Sequence, residues 1–303
     1  MKFAAVDIGS NAARLQISAV LRLPEKGIHF KKVEYVRFPL RLGIDVFTMQ
    51  KISPQREANI LKLLHSYKLL MELHEVDDYL VLATSAMREA ANGTSIVQRV
   101  KRELGLDMQI ISGDEESTYV NKALWRSLDD KNYLHIDVGG GSTEVTLYSQ
   151  KQMLASRSFE IGSIRLLEDT VSPVVWQDMQ QWVEKNVCDR FSKLLAVGIG
   201  GNINKVATMA KQKEKVRSIT TKDIEFIQAQ IAAKTFDERV NELDLNPDRA
   251  DVILPASNIY LSVMKWAKIK EILTPGLGLK DGIIELLVEK HGLEQDSNFL
   301  PLK

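Results

Sequence analysis

The sequence predicts two consecutive α/β domains built on mixed sheets. First, one pattern occurs twice: Val6-Asp7-Ile8-Gly9-Ser10-Asn11 follows Phe3-Ala4-Ala5, and Ile136-Asp137-Val138-Gly139-Gly140-Gly141-Ser142 follows Tyr133-Leu134-His135. Each is a short apolar strand ending in an aspartate, a glycine turn with a hydroxyl, and a second apolar run, which together read as a hairpin. Second, strands and helices alternate in a similar order after each hairpin. Third, 303 residues suffice for two cores. The first domain is expected over 1–125 and the second over 126–282, with a last helix over about 283–303 packing back on the first.

In order, three strands are expected over 2–7, 14–21 and 28–37, then a loop through Arg41-Leu42-Gly43-Ile44-Asp45. Ser53-Pro54 starts a helix, with serine as N-cap and proline in the first turn, and Leu61, Leu64 and Leu73 extend it to about His74. Tyr79–Ala83 reads as a strand, and Thr84–Glu89 turns into a helix that Asn92-Gly93 breaks. Ser95–Leu104 is helical, Met108–Ile111 a strand, and a helix runs from Asp114 to about Leu128. The second half repeats this logic. Hairpin strands fall at 132–137, 143–149 and 152–159, and Ile161-Gly162-Ser163-Ile164-Arg165 begins a helix. A long helix covers about 174–193, and Leu195–Asn202 passes from strand through loop to helix. Thr220 caps a helix with Asp223 three residues on. A helix near 249–266, a strand at 271–274 and a helix from Lys280 complete the chain, and the polar tail near 291–303 is expected to fray.

Forty basic and forty acidic side chains cancel, which excludes the electrostatic footprint of a nucleic-acid or membrane-surface binder. Apolar content of 45% and charged content of 26% are those of a globular protein. The single Cys188 falls at helical apolar spacing and is read as a helix residue without special chemistry. One cysteine permits no disulfide framework, the first residues read as a strand with no basic n-region or apolar h-region, and no apolar run reaches the ~18 residues that span a bilayer. A cytoplasmic protein without membrane or nucleic-acid partners is therefore expected.

The chemistry implied is phosphate handling. Glycine lets the backbone approach a phosphate, and successive amides form an anion nest. The cradle is thus assigned to Gly9, Ser10 and Asn11 and to Gly139, Gly140, Gly141 and Ser142. Arg88, at a strand-to-helix turn, and Arg14, in the strand after the first tip, are the candidates for charge neutralisation. Asp7, Asp137 and Glu144 are candidates to hold Mg²⁺, which takes a few carboxylates plus waters and substrate oxygens. Asp114, Glu115 and Glu116 cluster at a strand-to-helix junction, where mutual repulsion suits one of them to act as a base. Residue type and position do not choose among the three. The basic run Lys205, Lys211, Lys213, Lys215 and Arg217 reads as a solvated helix end and loop, and the five histidines have no metal-ligand spacing.

In order along the chain stand Asp7-Ile8-Gly9-Ser10-Asn11 with Arg14-Leu15, Arg41-Leu42-Gly43, Thr84-Ser85-Ala86-Met87-Arg88, and Ile111-Ser112-Gly113-Asp114-Glu115-Glu116. Ile136–Glu144, Ile161-Gly162-Ser163-Ile164-Arg165-Leu166, Gly200-Gly201-Asn202, Arg249–Ile253 and Gly278-Leu279-Lys280-Asp281-Gly282 follow. This ordered set resembles the exopolyphosphatase and guanosine pentaphosphate phosphohydrolase (Ppx/GppA) family in its short, two-domain form. The resemblance implies two ribonuclease H-like domains of the actin-like ATPase superfold, facing an interdomain cleft. It implies Glu116 as the catalytic carboxylate, Arg88 on the bound phosphates, and Gly201 and Asn202 in a third phosphate loop. It implies a Mg²⁺-dependent hydrolase that removes the terminal phosphate of polyphosphate, guanosine pentaphosphate or both, with guanosine tetraphosphate as a related ligand and a homodimer as one assembly. Three positions depart from the family pattern: Ala12 for serine, Ser117 for alanine and Asn202 for threonine. A small-molecule kinase of the same superfold and a non-catalytic polyphosphate or alarmone sensor are the alternative functions.

Overall fold

A computed structural model describes residues 1–23, 27–125, 128–187, 190–191, 193–210 and 218–293. The chain forms two compact units, one from Met1–Ser127 with Gly278–Lys303 and the other from Leu128–Leu277.

The first unit holds a five-stranded sheet of β1 (Lys2–Ile8), β2 (Ala13–Leu23), β3 (Gly27–Phe38), β4 (Asp78–Ala83) and β5 (Met108–Ile110), in the order β3-β2-β1-β4-β5. β1 to β3 form an antiparallel meander, and β4 and β5 run parallel to β1. The central strand is buried on both faces, which accounts for its unbroken run Phe3-Ala4-Ala5-Val6. Ala4, Val6 and Ile8 of β1, with Leu15 and Ile17 of β2, form a core with Ile60, Leu64, Tyr67 and Met71 of the helix Pro54–Leu73 and Ile96 and Val100 of the helix Gly93–Leu104. Ser53 caps the first of these helices as expected, its hydroxyl accepting from Arg56 N at 3.4 Å. On the opposite face the helix Leu279–Lys290 closes over β1 and β2, with the Phe3 and His291 rings 5.0 Å apart and tilted by 33°.

The second unit holds six strands, β6 (Tyr133–Val138), β7 (Thr143–Ser149), β8 (Gln152–Phe159), β9 (Leu195–Ile199), β10 (Ser218–Thr220) and β11 (Glu271–Leu273), in the order β10-β11-β9-β6-β7-β8. Read from β8 inwards this repeats the first sheet: an antiparallel meander, then two strands parallel to the first of the three, with β10 added antiparallel at the edge. The shared order is the ribonuclease H-like one, and each unit is a mixed-sheet α/β domain. Met179 and Val183, Ile203 and Val206, Ile224 and Ile227, and Ile259 and Val263 pack from four helices into its core. Thr220 and Asp223 form the expected reciprocal cap.

Several elements differ from expectation. The loop expected over 41–45 is the helix Leu42–Met49, entered through Arg41 in a left-handed conformation (φ 52°) and held by Leu42 and Val46 in the core. The helix expected near 249–266 is two, Pro247–Ala250 and Ile253–Trp266. The helix Phe236–Asn241, capped by Thr235, and the strand β10 were not foreseen. The return to the first unit begins at Gly278, ahead of 283. Cys188, Lys211, Lys213, Lys215, Arg217 and the tail from 294 onward lie outside the described residues. Among the described residues no helix is long and apolar enough to cross a membrane.

Candidate active site

Parallel strands present ligand sites at their carboxyl ends, and the expected site residues gather there within each unit. In the first unit β1 ends at the tip Gly9-Ser10-Asn11-Ala12. Gly9 N donates to Ala12 O at 3.1 Å, and the carbonyls of Ser10 and Asn11 accept from the amides of Gly43 and Arg41, both at 2.8 Å. In a trans peptide the N–H points opposite to the preceding C=O. The amides of Asn11 and Ala12 therefore turn away from the Arg41–Gly43 segment, as an anion nest requires. Arg41-Leu42-Gly43 is thus the brace of this tip. Ala12, one of the departures, is a 1%-exposed side chain beneath it.

Asp7 and Arg14 are cross-strand partners and form an ion pair at 2.6 Å. β4 leads through Thr84 into the helix Ser85–Glu89, which carries Arg88, and β5 leads into the helix Gly113–Trp125, whose first turn carries Asp114, Glu115 and Glu116. Arg88 Nη1 donates to Ile111 O at 2.7 Å, so this guanidinium sits against the entrance to that helix. Its neighbour Glu89 accepts from the Ser85 hydroxyl at 2.9 Å.

The three clustered acids are not equivalent. Glu115 Oε2 accepts from the Ser112 amide at 2.8 Å and the Ser112 hydroxyl at 2.9 Å, while Ser112 Oγ accepts from Glu115 N at 3.1 Å. These bonds close a reciprocal helix cap and hold the Glu115 carboxyl below the usual carboxylate range. Asp114 and Glu115 are exposed, whereas Glu116 is half-buried. Ser117, another departure, is buried.

In the second unit β6 ends at Gly139-Gly140-Gly141-Ser142, and Gly139 N donates to Ser142 O at 2.9 Å. Gly139 O accepts from the Ser163 amide at 3.0 Å, Gly140 O from the Ile164 amide at 2.9 Å, and Gly141 O from Arg165 Nε at 2.7 Å. All three glycine carbonyls face inward, so the amides of Gly140, Gly141 and Ser142 face the other way. Gly162 lies so close beneath that a Cβ there would collide with the Gly140–Gly141 peptide. Arg165 itself is 8% exposed, a buried arginine that the sequence reading quoted but gave no role; the run Ile161–Arg165 directly after a third strand was the available signal.

β9 ends at Gly200, whose φ of 121° suits glycine alone. A Cβ there would lie 3.1 Å from both Tyr260 Oη and Val138 O, so this loop touches the end of β6. Gly201 and Asn202 open the helix Gly201–Ala210, and Arg249 Nη2 lies 3.1 Å from where a Gly201 Cβ would stand. Arg249 is therefore a second cation the sequence reading left without a role. Lys205 Nζ, from the same helix, donates to Asp244 O at 3.0 Å, a structural bond to the segment after the helix Phe236–Asn241.

Asp137 and Glu144 are direct cross-strand partners, so their side chains share one face. Glu144 is 3% exposed and accepts from Ser158 Oγ at 2.7 Å. Burial, with Asp137 and Glu144 close by, raises the Tyr260 phenol well above its usual value. Two carboxylates opposed across strands fit a hard divalent cation that keeps waters and substrate oxygens as its other ligands. Asp7 fits less well, because Arg14 already offsets its charge. Among the described residues no three His, Cys, Asp or Glu side chains converge on one point. The first unit thus assembles Gly9–Asn11, Arg14, Arg88 and Glu116, and the second assembles Asp137, Gly139–Ser142, Glu144, Gly201 and Asn202.

Residues 24–291 match the profile of the Ppx/GppA phosphatase family. A bifunctional 3-dehydroquinate synthase/phosphatase of Fusobacterium nucleatum is 27% identical over 289 residues, covering 87% of this chain, which spans 43% of that protein's length. Exopolyphosphatase 1 of Mycobacterium tuberculosis is 23% identical over 305 residues, covering 94% of this chain and 87% of its own. The crystal structure of an exopolyphosphatase from Cytophaga hutchinsonii superposes with a TM-score of 0.81 at 22% identity, covering 96% of this chain and 98% of the other, and so shares the fold.

Proposed function

The chain belongs to the Ppx/GppA phosphatase family, and on that footing we propose that it is a Mg²⁺-dependent phosphoanhydride hydrolase. It releases the terminal orthophosphate of inorganic polyphosphate, of guanosine pentaphosphate, or of both. The observation that carries this reading is the division of labour in Asp114-Glu115-Glu116: Glu115 is spent on the helix cap, Asp114 is exposed, and Glu116 is the half-buried carboxylate beside the Arg88-braced helix entrance.

In this mechanism the Glu116 carboxylate accepts a proton from water as the water oxygen attacks the terminal phosphorus in line. The bond from that phosphorus to the bridging oxygen breaks, and the electron pair leaves with the shortened chain. In the first unit the outward amides of Asn11 and Ala12, together with Arg88, hold phosphate oxygens as their charge develops, and in the second the amides of Gly140, Gly141 and Ser142 form a phosphate nest of the same kind. Mg²⁺, where held by Asp137 and Glu144, would supply further neutralisation of the phosphate oxygens.

The test is orthophosphate release from long-chain polyphosphate, guanosine pentaphosphate and ATP, with and without Mg²⁺, by the wild type and Glu116→Gln. Mg²⁺-dependent release from either of the first two, reduced by about 100-fold or more in the variant, is expected. Binding without release would leave a sensor in place of an enzyme, and ADP formation that requires an acceptor would point to a kinase.

A further inference from the structure

The motif Gly278-Leu279-Lys280-Asp281-Gly282 has no part in the mechanism above, yet its helix touches both the phosphate hairpin and the helix of the proposed base. We propose that Gly282 is a positioning residue that sets how deeply Glu116 is presented, an inference that rests on the reading of Glu116 as base.

Gly282 packs directly on the backbone of Tyr119 in the helix Gly113–Trp125. A Cβ at 282 would collide with the Tyr119 carbonyl carbon and oxygen and would stand 3.3 Å from its Cα. Tyr119 lies one turn beyond Glu116, so the contact falls on the part of the helix that carries the carboxylate. The same closing helix is registered on β2 at the residue before Gly282. Asp281 Oδ1 accepts from Gln16 Nε2 at 3.1 Å, and Asp281 Oδ2 accepts from Gly278 N at 2.9 Å and bonds Lys280 Nζ. Gln16 is 4% exposed and lies two residues beyond Arg14 on the same strand face.

The cap at Ser112 and the Arg88 bond to Ile111 O fix where the base's helix begins. They do not fix how far it stands off the sheet. The closing helix does, because Ile283, Ile284, Leu287 and Val288 are buried and Lys122 Nζ pairs with Glu289 Oε2 at 2.7 Å further along the same two helices. Since the obstruction at Gly282 is backbone on both sides, no rotamer change absorbs a methyl group there. The helices must part by roughly 1 Å, a displacement that costs on the order of 100-fold when it falls on a catalytic group.

The experiment measures Mg²⁺-dependent orthophosphate release from polyphosphate by wild type, Gly282→Ala, Glu116→Gln and the double variant. Gly282→Ala is expected to lower kcat by about 10–100-fold with KM within about two-fold, and to add no further loss in the Glu116→Gln background. A loss that multiplies with Glu116→Gln, or an unchanged kcat with a lowered Tm, overturns the positioning role. If Gly282→Ala fails to fold, Gln16→Met removes the Asp281 tether while leaving the glycine contact, and the same criteria apply to it. Wild-type release that is absent or indifferent to Glu116→Gln instead defeats the functional reading, and this inference with it.

Discussion

Glu115 and Glu116 are identical in type and adjacent in sequence, and the Ser112 cap and burial separate them. The Ser112-x-x-Glu115 spacing is a capping-box signal that sets Glu115 apart in the sequence itself, whereas the burial of Glu116 leaves no such local mark. Asp45 makes the same point for stability. It lies in a segment read as loop, yet it is buried and accepts from Ser53 N at 3.0 Å and Arg56 Nε at 2.7 Å. Burial alone would raise its carboxyl, but the Ser53 bonds and the Arg56 guanidinium outweigh that and hold it below the usual range. A carboxyl depressed on folding stabilises above its unfolded pKa and loses that contribution as pH falls through the folded value. Asp45→Asn should therefore lower unfolding free energy by about 1–3 kcal/mol at pH 7 and by clearly less at pH 3. Urea unfolding of both proteins at the two pH values checks this, and an equal gap at both would count against it.

At the scale of elements, the tips were legible and their braces were not. A strand-end aspartate followed by glycine and a hydroxyl is a local pattern, and Gly9–Asn11 and Gly139–Ser142 are strand-linking tips as expected. Arg41–Gly43 and Ser163–Ile164 act through backbone amides on carbonyls far away in sequence, which leaves little mark on residue type, and Arg165 adds a side-chain bond. Their one visible trace is glycine. Gly162→Ala should push the second tip outward, costing about 1–3 kcal/mol of stability and at least about ten-fold in kcat/KM. Phosphate-release kinetics and a thermal melt measure the two effects separately, and wild-type kinetics would refute the brace. The helix Leu42–Met49 was missed for a related reason: Gly43 reads as a loop residue, but here it brings an amide to Ser10 O.

At the scale of the molecule, doubling was the strongest signal in the sequence, and the two sheets share their strand order. What sequence could not place was the start of the return to the first unit. The helix Leu279–Lys290 is assigned by contacts at Gln16, Tyr119 and Asp78, each distant along the chain. Removing residues 278–303 strips Ile283, Ile284, Leu287 and Val288 from that unit. At about 1.5–3 kcal/mol each, their loss rivals the whole stability of a domain. Calorimetry of the truncated chain should lose the transition of the first unit and keep a cooperative transition from the second. Retention of both would show that the closing helix is dispensable.

That return also sets a timetable for biosynthesis. The strands β1 to β5 and the helix bearing Glu116 leave the ribosome before the second unit, and Gly278 follows only after it. At about 5–20 residues per second the interval is roughly 8–30 s. Throughout it, the face of β1 and β2 around Phe3 and Gln16 waits without its cover, exposed to chaperones and to unwanted partners. The nascent chain thus holds its first phosphate tip early and acquires the helix that steadies Glu116 late.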